Sequence, residues 1–594
     1  MTLTAKPMRR TAALLLAGLM GVAGIAQAKL SAPAVIPAKA TYVLSVPDTA
    51  AMVRSWNACP MSQATREILD VAGASQQLVL FAAIRPEIEK SLGFSLDVQT
   101  ITSMMTGVDI FMLPGSTNEA KPIVGLVAKI GDTDKFGRFL VYWEKAAAKA
   151  AAEAADKDAE TSNPAQHEFF TTSTVEGQLV KHFVTGKDMD VYYAQVGAHF
   201  LVATDQDIIG GMITRAKGKE TAGGFDSATD FDKVEKVLSA HPGVVFVYQN
   251  GAAALRATEQ NESMRKFAKI MADLSPFAMS GSAVQMGADS IRFYSYAPFA
   301  AGSENSLMRK LLERASSTGS IGVLNFAPEK SILVVGTNTF DAYLIYDVVR
   351  DAIAALNTSG KEVDLDAQLK ELEPIIGFSV KNDLLPALGK EIGVLVDSVD
   401  ATVMVRVDAA IVLQVRDKDK MQKVLTAVER QITDKLKEQA ASRAAKAGST
   451  PQQDITFKTV KEGDVSIKYL DFPPLPSLSP GYAMVGDYLI FASTKETIQK
   501  LAAVKDGKEK GLIGSAELDK FQGVTPKGVS FGYVNLSKVW DTAKGVLSQG
   551  GKTAGGNAER VLNALKSVRG CASSTTVENG AAVSQGLVLF EPAK

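Results

Sequence analysis

The chain has 594 residues, 46% of them hydrophobic and 22% charged, and its 64 basic and 65 acidic side chains nearly cancel. Such a composition is ordinary for a globular protein, and the length exceeds what one core serves, so two large domains or several smaller ones are expected. The neutral balance gives no electrostatic footing for nucleic acid, which is not expected as a partner. With two cysteines there is no disulfide framework: Cys59 and Cys571 either pair, tying the two ends together, or remain as thiols.

Lys6, Arg9 and Arg10 form a basic n-region, residues 11–25 an apolar run, and Ala26-Gln27-Ala28 places small residues where a signal peptidase reads them. Residues 1–28 are therefore expected to be a signal peptide cut after Ala28, leaving a soluble periplasmic or otherwise exported chain. The run is shorter than the roughly 20 residues of a comfortable span. No later run approaches that length, so no transmembrane segment is expected after cleavage, and no cysteine follows the cut to carry a lipid anchor.

Along the rest of the chain, Ile123–Ile130 reads as a mostly apolar strand, and Asp132 or Asp134 is placed to cap a helix through Tyr142. That helix runs on into the polar, strongly helix-favouring segment 145–153. Residues 200–203 end a strand, followed by Thr204-Asp205 and another helix. Residues 307–315 form a short connecting helix. The broadly apolar strands 392–396 and 411–415 read as buried core. Residues 435–443 repeat the polar helical extension, Ser493-Thr494-Lys495-Glu496 has capping-box spacing, and 536–546 is a helix. Strands joined by short turns pair antiparallel, so the class is α+β.

The same order of segments occurs twice. Glu87 to Leu96 matches Glu371 to Val380 around Gly93-Phe94 and Gly377-Phe378, and Asp132 to Phe136 matches Asp417 to Met421. Val196 to Thr204 matches Val485 to Ser493, and Pro242 to Tyr248 resembles Pro526 to Tyr533. Each series ends in a strand closed by proline, at Pro298 and Pro592. The spacing holds near about 285 residues and drifts by a few, as small loop insertions would make it. The expected organisation is two tandem homologous α+β domains, 34–302 and 319–594, each with antiparallel sheets of strand–strand–helix units packed by helices, joined by a linker helix in 303–318.

Motifs of chemistry are scarce. His167, His182, His199 and His241 all fall in the first half, with His199 where the second copy has Tyr488 and His182 where it has Lys468. That pattern fits tolerant surface or sheet positions. Asp226, Asp230 and Asp232 lack the glycine and closing glutamate of a calcium loop. In Gly545 to Thr553, five residues separate Gly545 from Gly551-Lys552-Thr553, where a phosphate loop needs four, and a helix precedes it where the motif needs a strand. Gly319-Ser320-Ile321-Gly322 and Gly281-Ser282 lack nucleophile-elbow spacing. Glu371 with Glu373, and Asp364 with Asp366, read as surface carboxylates. No catalytic, cofactor or metal site is assigned, and no cofactor is expected.

Gly377-Phe378-Ser379-Val380, followed by Asp383-Leu384-Leu385-Pro386-Ala387-Leu388-Gly389-Lys390-Glu391, resembles an uncharacterised family of exported bacterial envelope proteins, a domain of unknown function with a repeated Leu-Leu-Pro-x-Leu-Gly-x-Glu element. The first copy departs from it at Met104-Met105-Thr106. The resemblance implies an envelope location, a repeated α+β fold and an opening strand over residues 36–43. It brings no catalytic residues. Read structurally, Leu384, Leu385 and Leu388 bury a short helical turn, Gly389 ends it and Ile392 begins a strand. The leading expectation is a non-enzymatic exported envelope protein that binds or scaffolds another envelope component, its partner an envelope protein or an apolar ligand. The alternative is a carrier holding an apolar ligand such as a lipid on a concave sheet face or between the halves, and an enzyme without recognisable motif comes third.

Overall fold

The computed structural model describes residues 30–71, 75–115, 122–158, 170–184, 190–220, 223–260, 265–316, 319–356, 364–400, 406–447, 456–471, 479–549 and 555–591. The signal-peptide segment, His167, Gly550 to Thr553 and Pro592 lie outside these residues. Ten strands come first: β1 (Tyr42–Val46), β2 (Met105–Leu113), β3 (Ile123–Ile130), β4 (Phe170–Val175), β5 (Gln178–Val184), β6 (Asp190–Val196), β7 (His199–Ala203), β8 (Val245–Gln249), β9 (Ser280–Met286) and β10 (Ser290–Pro298). Ten follow: β11 (Leu333–Thr337), β12 (Leu388–Asp400), β13 (Arg406–Val415), β14 (Phe457–Glu462), β15 (Val465–Leu470), β16 (Gly481–Val485), β17 (Tyr488–Ala492), β18 (Ser530–Val534), β19 (Val568–Glu578) and β20 (Ala581–Phe590).

All pair antiparallel in one sheet, in the order β4-β5-β6-β7-β3-β2-β1-β8-β9-β10-β20-β19-β18-β11-β12-β13-β17-β16-β15-β14. Helices and antiparallel sheet make the class α+β, as the short turns imply. Where the sequence leads one to expect separate sheets in each half, β10 and β20 instead zip together from Ser290↔Leu589 to Pro298↔Ala581. Each would otherwise end its run of strands with unpaired backbone donors, and the pairing removes both edges.

One face of the sheet carries the two large cores. Phe111, Val127, Leu201 and Phe246 pack against Ile209, Met212 and Ile213 of the helix Gln206–Ala216 and against Phe231 and Val234 of the helix Phe231–Leu238. Val334, Val412, Ile490 and Phe531 pack against Ile498 and Leu501 of the helix Lys495–Lys505 and against the turn Gly322–Phe326. The opposite face meets helices at small clusters. Phe200 joins Met104 and Phe136, Leu489 joins Met421 and Leu425, and Val46 joins Met52.

Caps set the helix starts. Asp132 accepts from the Lys135 N–H and Asp417 from the Lys420 N–H, both at 3.0 Å, so Asp132 is the cap and Asp134 turns to Arg138. The capping-box reading is off by one residue: Thr494 caps through the Thr497 N–H, while Ser493 Oγ accepts from the Ala409 N–H. Gly93 and Gly377 stand at φ +73° and +81°, the left-handed region that ends a helix, and each donates to the carbonyl four residues back. The helices begun at Asp132 and Asp417 run as Thr133–Asp158 and Lys418–Ala447. Each is anchored to the sheet by a glutamate. Glu144 accepts from Lys181 Nζ and Tyr193 Oη, and Glu429 from Lys468 Nζ and Tyr482 Oη. Lys181 on β5 and Lys468 on β15 thus make the same kind of contact.

Two local expectations change. The opening strand starts at Tyr42, because Pro37 bridges to Gly224 and the Ala38 carbonyl is taken by the Asn250 side chain, which keeps residues 36–40 out of the ladder. At the Leu-Leu-Pro element, a wide turn Val380–Leu384 and one helical turn Leu385–Ala387 lead directly into β12 at Leu388. Gly389 therefore lies inside the strand and does not end the helix. Leu385 is buried, and Leu384 and Leu388 are half-buried. A Cβ on Gly389 would sit 2.7 Å from Cγ of Gln414, whose Oε1 accepts from the Lys390 N–H. Gly389→Val is expected to lower stability by about 1–3 kcal/mol through overpacking. An unchanged melting temperature would refute this.

Candidate functional site

Antiparallel strands with one wet face alternate apolar and polar residues. Here they do not. In β11, β12, β13 and β17 the register partners Val335, Val394, Ile411 and Phe491 lie side by side on the face away from the core, 43%, 38%, 45% and 36% exposed. Leu333, Ile392, Val396 and Leu413 flank them, half-buried. The first ten strands present Leu44, Ile110, Leu126 and Val202 in one register row, with Met112 and Val124 exposed beside it. Strands 392–396 and 411–415 are thus not wholly core, as their composition leads one to expect. Their second face is apolar and open, the kind of patch that marks an interaction surface.

Between these two apolar fields the same face turns polar. Across six neighbouring strands the register partners are Ser282, Ser295, Ser584, Thr575, Ser530 and Thr337. At about 4.8 Å per strand this hydroxyl row is ~24 Å long. It meets Val247 and Leu44 at one end and Ile392 and Leu413 at the other. Ser282 pairs with Ser295 at 2.7 Å and Thr575 with Ser584 at 2.9 Å.

Over part of the row lies a crevice of about 470 Å³. Its floor is Val247, Gln249, Ser280, Ser282, Ser295, Ala297, Thr575, Ala582 and Ser584. Leu274, Phe277, Met308 and Leu312 bound it from the helices Arg265–Leu274 and Leu307–Ser316 and the segment between β8 and β9. Among the described residues, none of those lining it is charged. Leu312 also packs on Phe299 and Val529, which holds the Leu307–Ser316 helix across the strands of both runs.

The titratable groups weighed on the sequence stand apart from this crevice. His182 stacks on Tyr192 and faces Asp190 at 3.2 Å. His199 is held below the ordinary histidine range by burial and by Lys129, and His241, stacked on Tyr294, by burial. Asp230 pairs with Lys233. Asp364 caps the helix Leu365–Ile376, Asp366 holds Lys381 and the Tyr346 hydroxyl, and Glu371 is exposed. Among the described residues, no group of three His, Cys, Asp or Glu is placed to hold a metal. Cys59 is buried beside Val568 and Phe590, and both it and Cys571 are free thiols whose pKa burial raises. The chain ends meet by packing, and by Arg560 bridging Glu67 and Asp70. Among the described residues, no helix is long and apolar enough to cross a membrane.

Two strand acids, Asp109 and Glu391, are buried away from the crevice, one in each run of strands. Asp109 on β2 accepts from the N–H groups of Ser31 and Ala32 and from Ser45 Oγ, at 3.3, 3.0 and 2.5 Å. Glu391 on β12 accepts from the Val323 N–H at 3.0 Å and Tyr488 Oη at 3.1 Å. Both fasten a turn that leads towards the first strand of its run. Burial pushes Asp109 up to about 6, outweighing the hydrogen bonds from Ser45, Ser31 and Ala32 that pull it down.

No protein-family model and no curated protein matches the chain. Among solved structures, crystal form III of TP0453 is similar at 9% identity with a TM-score of 0.22, covering 48% of this chain and 86% of that one. Crystal form I of TP0453 is similar at 10% identity, also with a TM-score of 0.22, covering 49% and 88%.

Proposed function

We propose that this chain is a non-enzymatic exported envelope protein of two tandem homologous domains that carries an apolar ligand, such as a lipid, on the open face of its sheet. The observation that carries this reading is the exposed row Val335, Val394, Ile411 and Phe491. Leaving four large apolar side chains this exposed on adjacent strands is unfavourable by about 25 cal/mol per Å² of apolar surface, a cost that an apolar occupant relieves. The crevice, which adjoins through Val247 the second apolar field of that face at Leu44, favours a small molecule over the partner that ranks first on sequence alone. A protein partner is the second reading, supported by the exposed Asp434, Lys435 and Glu438 towards the end of the long helix Lys418–Ala447.

Support for the duplication is the strand order, which reads the same from either edge when ten is added to each strand number. The paired caps at Asp132 and Asp417 and the anchors at Glu144 and Glu429 add to it. The export reading and the resemblance to an uncharacterised envelope family rest on residues 1–28 and on the Leu384 to Glu391 element. The test is to purify the protein gently from a bacterial envelope and weigh what an organic solvent extracts. A stoichiometric apolar molecule is expected. An empty protein that also fails to take up N-phenyl-1-naphthylamine, an uncharged apolar dye, would leave the protein-partner reading in its place.

A further inference from the structure

Resting on the carrier reading, we infer that the crevice at the hydroxyl row is a binding site for the head of an uncharged amphiphile, such as a monoacylglycerol or a long-chain alcohol, whose hydrocarbon chain lies along the adjoining apolar strip. Its volume of about 470 Å³ falls within the roughly 300–1,000 Å³ of small-molecule sites, which combine apolar walls with a few placed polar groups. Hydroxyls on the floor face Leu274, Met308 and Leu312 on the helices, so the site is amphipathic across its depth.

The chemistry of the head follows from what the hydroxyls can still do. A hydroxyl offers one proton and two lone pairs. In the pairs Ser282–Ser295 and Thr575–Ser584 one proton is used inside each pair, so each pair keeps a free proton and spare lone pairs. A hydroxyl head, or an amide bearing an N–H, can accept from one and donate to another, and an ester can accept. A carboxylate, phosphate or ammonium would lose its water without gaining a counter-charge, since among the described residues no charged side chain lines the crevice. The route for the chain is set by register: from Ser282 the same face continues as Val247, Leu44, Ile110, Leu126 and Val202 across five strands, at ~4.8 Å per strand.

The test uses the delipidated full-length mature chain, with N-phenyl-1-naphthylamine reporting the apolar face and 1-monooleoylglycerol as the probe. Monooleoylglycerol is expected to bind at one per chain and at least about tenfold more tightly than oleate at pH 9, where the head is charged. Removing both pairs, as Ser282→Val, Ser295→Val, Ser584→Val and Thr575→Val, should weaken it by about tenfold or more and leave dye uptake unchanged. Ser295→Thr with Ser584→Thr, which keeps both hydroxyls, should bind as the parent does. Because valine adds bulk at the serines, the same four positions changed to alanine must show the same loss at an unchanged melting temperature. If the valine and alanine variants bind monooleoylglycerol like the parent, or oleate binds equally well, this inference fails and the carrier reading stands. If the parent takes up neither dye nor monooleoylglycerol, both fail.

Discussion

Phe111→Ala is expected to destabilise the protein by about 3–5 kcal/mol, the cost of emptying a large aromatic site in a packed core. Phe111 is fully buried at the centre of the first core, and its cross-strand partners are Val43 on β1 and Gly125 on β3. Gly125 has no side chain because the ring occupies that space. A Cβ built there would sit 2.1 Å from the Phe111 ring, closer than any side chain tolerates. An aromatic lying over a cross-strand glycine restores the packing surface that glycine lacks. Gly125→Ala alone should therefore also be severe, since both the ring and the strand would have to move. The two changes are coupled through one volume, so the double variant should cost less than the sum of the singles by about 1 kcal/mol or more. Denaturant titration of the four proteins measures this. Additive losses would show that the ring and the glycine do not share the space.

Much of the architecture is legible in the chain because it rests on local physics. Asp132 and Asp417 announce their helices, Gly93 and Gly377 end theirs, and Ile123–Ile130 has both the composition and the bounds of the strand it forms. Errors of one residue arise where two hydroxyls compete for one role, as Ser493 and Thr494 do at a helix start. The β10–β20 join is not legible, because either strand satisfies its sequence pattern equally well at an edge or inside a sheet. Strands such as 411–415 carry a real signal, an alternation that is missing, yet composition alone cannot tell burial on both faces from exposure of one. The candidate site is the least legible feature. Its hydroxyls are drawn from positions as far apart as Ser282 and Ser584, each an ordinary residue in a strand. Register across six strands makes them a row, and register is a property of the folded sheet.

The pH dependence of stability should bear the mark of Asp109. Its carboxyl titrates near 6 in the folded protein and near 3.9 in an unfolded chain. The folded state therefore binds the proton more tightly, and the protonated acid stabilises the fold most fully below about pH 4. As pH rises through 6, that contribution is lost, because ionising the buried carboxyl costs more folded than unfolded. A difference of about two pKa units corresponds to ~3 kcal/mol lost between pH 4 and pH 7. Carboxylates held low by partners, such as Asp383 with Lys423 and Asp366 with Tyr346 and Lys381, act in the opposite direction over lower pH. For that reason the comparison is with Asp109→Asn, whose amide keeps the shape and an acceptor for the Ala32 N–H but does not titrate. The unfolding free energy of the parent, minus that of the variant, should fall by ~3 kcal/mol from pH 4 to pH 7. A difference that stays level with pH would mean that Asp109 is ionised in the fold and that its three hydrogen bonds outweigh its burial. Asp109→Ala serves as the complementary probe. It strands the N–H groups of Ser31 and Ala32 and the Ser45 hydroxyl in the interior, so it should be destabilised at every pH by about 1–3 kcal/mol for each group left unpaired.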